Sequence, residues 1–193
     1  MYKKDPNLII PNDNMTIWRY LDFTKFVSLL DKQALFFCGA DKMDDPFEGS
    51  FTKTNVSERR EAIEEKFLDI VSSNLKMLKE FVAVNCWHIN RYESAAMWKL
   101  YLKSNEGIAI RSTFGRLRDS LKDEEHKIYI GKVQYIDYEK DKIPDDTSFS
   151  PFVHKRKSFE HEKELRAIIR ELPKENIFET AKRPFEDLSL IHI

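Results

Sequence analysis

The residues best suited to chemistry lie in the last third of the chain, in Glu162-Lys163-Glu164-Leu165-Arg166, with Lys155-Arg156-Lys157 just upstream. Extended backbone from Glu162 onward puts Glu162, Glu164 and Arg166 on one face and turns Leu165 and Ile169 the other way. Two carboxylates held close push one pKa up, which suits general acid–base work, and a guanidinium beside them holds the other ionised. A helix over the same residues instead pairs Glu160 with Glu164 as a solvated salt-bridged face. Lys155 and its basic neighbours either meet phosphate or end a helix in solvent. A second cluster holds Asp41, Asp44, Asp45 and Glu48 around Pro46. Such carboxylates can bind a metal or orient a substrate, or can cap a proline turn through nearby backbone N–H groups. The third is Trp87-His88 followed by Trp98 and Tyr101. Three apart, Trp98 and Tyr101 share one helix face, either as core or as the wall of a pocket for a flat ring.

Other sites have no signature. The glycine-rich nucleotide loops, the GxSxG elbow and the HExxH zinc helix are all missing. Cys86-x-His88 has no second ligand pair at zinc spacing, so no metal is expected, and Cys86 reads as a small buried hydrophobe. His126 and His192 read as solvated side chains.

The elements that must carry these residues follow from hydrophobic spacing. A strand over residues 16–20 leads into a helix capped by Asp22 or Thr24, with Phe23, Phe26, Val27 and Leu30 as its buried face. A strand is expected over 34–38 and a loop over 39–49. One long helix follows over 57–79, then a central strand over 81–87 and a helix over 94–102. Strands at 108–110, 128–130 and 133–136, with a helix over 113–121 among them, precede a mixed segment over 152–170. Helices and strands alternate without βαβ spacing, so the expected class is α+β, one compact domain with a mixed or antiparallel sheet flanked by helices. Residues 1–14 read as a polar arm, 15–187 as the domain. A net charge of −1 argues against a wholly basic nucleic-acid binder, leaving nucleic acid possible only at a local patch. Two isolated cysteines, no secretory signal and no long apolar run fit a cytoplasmic protein that does not enter a membrane.

Five ordered motifs carry a resemblance. They are Trp18-Arg19-Tyr20; Ala40-Asp41-Lys42 with Asp44-Asp45-Pro46-Phe47-Glu48; Cys86-Trp87-His88; Met97-Trp98-Lys99-Leu100-Tyr101 with Gly107-Ile108-Ala109-Ile110; and Phe159-x-x-Glu162-x-Glu164-x-Arg166. Together they resemble the bacterial family catalogued as domain of unknown function 2971, from about residue 16 to 187. The resemblance implies no established activity; some members look like neighbours of phage-defence genes. It also implies a further strand and a helix after Asp187. The chain instead ends Leu188-Ser189-Leu190-Ile191-His192-Ile193, which resembles translated sequencing adapter on a metagenomic fragment, so residues 188–193 are expected to be non-native and the domain truncated.

Three functions are weighed. The first is an enzyme loosely resembling the ADP-ribosyltransferases, a likeness at fold level. It implies NAD as the cofactor-like substrate, with Arg19 beside Tyr20 on the first strand holding its diphosphate and Tyr101 or Trp98 stacking its nicotinamide. It makes Glu164 the group that stabilises the ribosyl cation and Glu162 the one that orients an acceptor, a small molecule or protein of unknown identity. Arg166 completes the catalytic group, and His88, Lys155 and the 44–48 loop flank the cleft. The second is a magnesium-dependent nuclease using Asp44, Asp45 and Glu164, with Arg166 meeting phosphates. The third is a non-enzymatic sensor or interaction domain whose charged residues form a structural network.

Overall fold

In a computed structural model, the chain is described over residues 1–101, 106–122, 125–171 and 189–192. Its elements in order are β1 (Tyr2–Lys3), β2 (Thr16–Asp22), α1 (Phe23–Lys32), β3 (Ala34–Gly39), α2 (Lys53–Ala62), α3 (Glu65–Leu78), β4 (Val82–Ile89) and α4 (Ala95–Tyr101). There follow β5 (Gly107–Thr113), α5 (Phe114–Ser120), β6 (Ile128–Lys132), β7 (Gln134–Ile136), β8 (His154–Arg156), β9 (Glu164–Arg170) and β10 (Ser189–His192). The fold is mixed α and β, one compact domain built on a mixed sheet. Strand order is β1-β6-β9-β4-β2-β5, with β3 pairing β4 and β10 pairing β3; β7 and β8 form a separate parallel pair. No helix among the described residues is long and apolar enough to cross a membrane.

One sheet face buries Ile17, Leu35, Phe37, Trp87, Leu165 and Ile169 under Phe114, Leu117 and Leu121 of α5 and the segment after it. The other buries Val82, Val84 and Ile168 under Phe149, Phe152 and Val153. The polar site shares this second face. Several expectations are corrected. The 57–79 pattern is two helices, because Thr52 caps an earlier start by accepting from Asn55 N and the backbone at Ile63 is extended. Asp22 does cap α1, its Oδ1 accepting from Lys25 N at 2.8 Å. Yet Phe23, Val27 and Leu30 are exposed, since Leu35, Phe37 and α5 already fill that face and Leu29 is the α1 side chain that packs on it. The 1–14 arm is woven in: β1 pairs β6, and Leu8 is buried over Gly131. Residues 189–192 pair with β3 as an antiparallel strand.

The feature that positions the site is a split in the sheet. On one edge β4 pairs β9 continuously from Val82↔Arg170 to His88↔Glu164. Its other edge is shared, β3 taking Ala83 and Val84 and β2 taking His88 and Ile89. Between them β2 and β3 diverge, so that no β2 or β3 residue pairs with β4 at residues 85–87, where the Cys86 and Phe36 carbonyls face the gap. Buried carbonyls must find donors elsewhere. Arg19 fills the gap, donating from Nη1 to Cys86 O at 3.0 Å and from Nη2 to Phe36 O at 3.4 Å. Asn85 adds a second donor to Phe36 O at 2.7 Å and is itself held by Trp87 Nε1.

Arg19 is therefore a wedge in the fold. Arg19→Met keeps the stem and leaves the Cys86 carbonyl unpaired, and is expected to cost about 1–3 kcal/mol in chemical denaturation. An unchanged midpoint would show that the guanidinium carries none of this load.

Candidate functional site

A cavity of about 310 Å³ opens against the split. Its wall is Trp18 and Tyr20 of β2, Cys86 and His88 of β4 and Tyr101 of α4; Glu162 and Glu164 form its acidic side, and Lys25, Lys42, Asp22 and Asp44 also line it. The alternation of β9 works as expected from Glu164 on, with Glu164 and Arg166 toward the site and Leu165, Ala167 and Ile169 in the apolar cluster. Glu162 arrives differently. It ends a 3-10 turn, Lys157–Glu162, and Lys163 then takes a left-handed conformation (φ 42) before β9 begins.

Arg166 is wholly buried and uses all five of its N–H donors. Nε and Nη2 clamp Glu164 at 2.7 and 3.1 Å. Nη1 and Nη2 clamp Glu48, and Nη1 also donates to Phe152 O at 2.8 Å. Two bidentate carboxylate pairs and a carbonyl match the planar fork of a guanidinium, which a lysine could not reproduce. Glu48 reaches this position because Gly49 turns with φ 64, where the Phe152 ring lies 2.5 Å from any added Cβ. Lys155, also buried, donates to Glu162 and, at 2.8 Å, to Glu164. The amide of Glu164 donates to the Tyr135 hydroxyl at 2.8 Å.

The buried cluster thus joins three carboxylates to two cations, and it balances when one carboxyl keeps its proton. Burial, and then the neighbouring Glu164, push Glu162 up to about 7 despite Lys155. Burial also works to raise Glu164, but Arg166, the bond from Glu162 and Lys155 overcome it and hold Glu164 well below the usual carboxylate range. The pair is therefore one acid and one fixed anion, the unequal state that proton transfer near neutral pH requires. His88 is kept neutral by burial, its Nδ1–H donating to Glu162 O at 2.6 Å.

The structure brings together Glu162, Glu164, Arg166, Lys155, Glu48 and His88, and sets Tyr20 and Tyr101 on the cavity wall. It places other residues differently from the sequence reading. Arg19 lines the cavity as expected, but spends both Nη groups on carbonyls. Trp98 stacks edge-on behind Tyr20 at 5.1 Å and does not line the cavity. Lys155 neither faces solvent nor awaits phosphate. Asp45 caps its own turn through Phe47 N and binds Arg156 at 2.8 Å, while Asp44 stays exposed at the mouth. Asp44, Asp45 and Glu164 do not converge, and no group of three or more metal-ligating side chains occurs among the described residues. Arg166 does not line the cavity; it lies behind Glu164 and holds that carboxylate from Nε and Nη2. Sequence reasoning missed Tyr135 and Gly49; a lone glycine after an acidic turn was the available signal for the second. No family model, no curated protein and no solved structure matches the chain.

Removing one charge from each carboxylate separates their roles. Glu164→Gln strands Arg166 and is expected to cost about 3–5 kcal/mol. Glu162→Gln resembles the protonated side chain. Because Glu162 titrates higher in the folded state than unfolded, its stability contribution is complete below about pH 4.3 and lost as pH rises through about 7. Thermal scans should therefore show wild type losing ground to Glu162→Gln between these limits. Parallel pH profiles for the two proteins would contradict the assignment.

Proposed function

We propose that the chain is an enzyme that works by acid–base chemistry at the Glu162/Glu164 pair, with NAD as its ADP-ribosyl donor, in the manner of an ADP-ribosyltransferase. The observation that carries this reading is the pairing of a carboxyl near pH 7 with a carboxylate locked as an anion on one cavity. A volume of about 310 Å³ is at the small end of ligand sites and matches the nicotinamide-ribosyl end rather than the whole dinucleotide. In this reading Glu164, held by Arg166 and Lys155, stabilises the positive charge that develops on the ribosyl carbon as its bond to nitrogen breaks. The electron pair leaves with the nicotinamide ring. Glu162, once ionised, takes the proton from the acceptor as its oxygen or nitrogen attacks. Tyr101 and Tyr20 supply aromatic surface, and Lys25 and Lys42 at the mouth take over the diphosphate contact first given to Arg19. Membership of the family that the five motifs resemble, and a place in phage defence, belong to the same proposal.

A non-enzymatic binding module is the second reading. The exposed Phe23, Val27 and Leu30 on α1 favour it, because a contiguous apolar helix face is what a partner protein would cover.

Thermal unfolding with NAD at about 100 times its Kd should raise the midpoint by several degrees. Nicotinamide release should rise with pH through about 7, following ionisation of Glu162, and be lost in Glu162→Gln at an undiminished melting temperature. A folded wild type with neither a shift nor nicotinamide release at saturating NAD would contradict the enzyme reading and leave the binding module.

A further inference from the structure

The turn that delivers Glu162 is gripped by two successive residues of β4. His88 lies opposite Glu164 in the β4–β9 ladder and is 3% exposed. Its Nδ1 sits 2.6 Å from Glu162 O, and since a carbonyl only accepts, the ring hydrogen is on Nδ1. Nε2 is buried with no partner among the described residues, so a second proton there would be an unpaired charge. The neighbouring Ile89 N donates to Lys163 O at 2.8 Å. Between these two anchored carbonyls Lys163 holds φ 42 and ψ 54, a conformation that a non-glycine residue keeps only when its surroundings impose it.

We propose that His88 is the positioning residue of the carboxylate pair: its bond to the Glu162 carbonyl holds the Lys163 turn in the form that sets the Glu162 carboxyl against Glu164. The inference rests on Glu162 being the proton-carrying group, and it adds what fixes that group in place. In a continuous strand Glu162 would stand two residues, roughly 6.5 Å, along from Glu164. The turn brings both to one ammonium, Lys155. The groups that face Glu162 are Lys155 from β8, Glu164 from β9 with Arg166 behind it, Tyr101 from α4 and Tyr135 from β7, while His161 and Lys163 of its own turn act on the His88 ring. Substituting a neutral His88 removes none of these charges. A change in Glu162 titration in a His88 variant therefore reports the geometry of the turn.

The test uses the ligand-free full chain, with glutamate side-chain carboxyl carbons labelled for NMR and Glu162 assigned through Glu162→Gln. His88→Phe keeps a ring without the donor. His88→Asn places an amide N–H where Nδ1 was, whereas His88→Gln places it nearer Nε2. In His88→Phe and His88→Gln the Glu162 midpoint should fall by a unit or more, a tenfold change in proton affinity, toward the ordinary value of about 4.3. His88→Asn should keep it near 7. Should His88→Phe fail to fold, the Asn and Gln pair carries the comparison. A wild-type midpoint in folded His88→Gln, or equal behaviour of Asn and Gln, would overturn the proposal. Nicotinamide release does not enter this measurement, so failure of the NAD reading would appear separately, as a shifted midpoint in a protein that leaves NAD intact.

Discussion

The acidic cluster beside the cavity is arranged around one buried guanidinium. Arg166 cannot shed its proton and cannot reach water, so the fold must supply acceptors for five N–H groups at fixed angles. It does so from three separate stretches: Glu164 two residues away, Glu48 from a loop more than a hundred residues earlier, and the main-chain carbonyl of Phe152. That demand fixes the left-handed Gly49, the packing of the Phe152 ring over it, and the approach of the 44–49 loop to the sheet. Lys155 adds a second buried cation and Glu162 a third carboxylate. Burial first, and then the resulting excess of one negative charge, keep a proton on Glu162.

The sheet makes room for this cluster by being incomplete. Had β2 and β3 lain along β4 in register, the Phe36 and Cys86 carbonyls would be bonded within the ladder and no cavity would open beside Cys86. The divergence leaves those carbonyls to Arg19, which replaces missing strand hydrogen bonds with side-chain ones. The cavity and its supporting wedge are thus two consequences of one topological choice, the sharing of a single β4 edge between two strands.

How much of this could be read from the sequence depends on the range of the interaction. Alternation along β9 was legible because strand periodicity is local, and it correctly turned Glu164 and Arg166 to one side. The same rule put Glu162 on the side it does occupy but through the wrong backbone, since it ends a 3-10 turn followed by a left-handed Lys163 that no local pattern encodes. Arg19 looked like a phosphate ligand because its type and position on a first strand fit one; its use as a wedge depends on how far β2 and β3 diverge, a property of the assembled sheet. Glu48 appeared as one acid among several in a turn, since its partner is distant in sequence. The apolar stripe of α1 was real but its burial was not, because α5 and β3 fill the surface it would have covered.

The central claim is that two adjacent buried carboxyl groups are held in opposite protonation states by the Arg166 framework. Neutron diffraction from crystals exchanged into heavy water at about pD 6 would locate the proton directly, below the point at which Glu162 ionises near 7. The account predicts a deuteron on Glu162, a bare Glu164 carboxylate, and deuterons at all five Arg166 N–H positions, directed at Glu48, Glu164 and the Phe152 carbonyl. A deuteron on Glu164, or two bare carboxylates side by side, would contradict it.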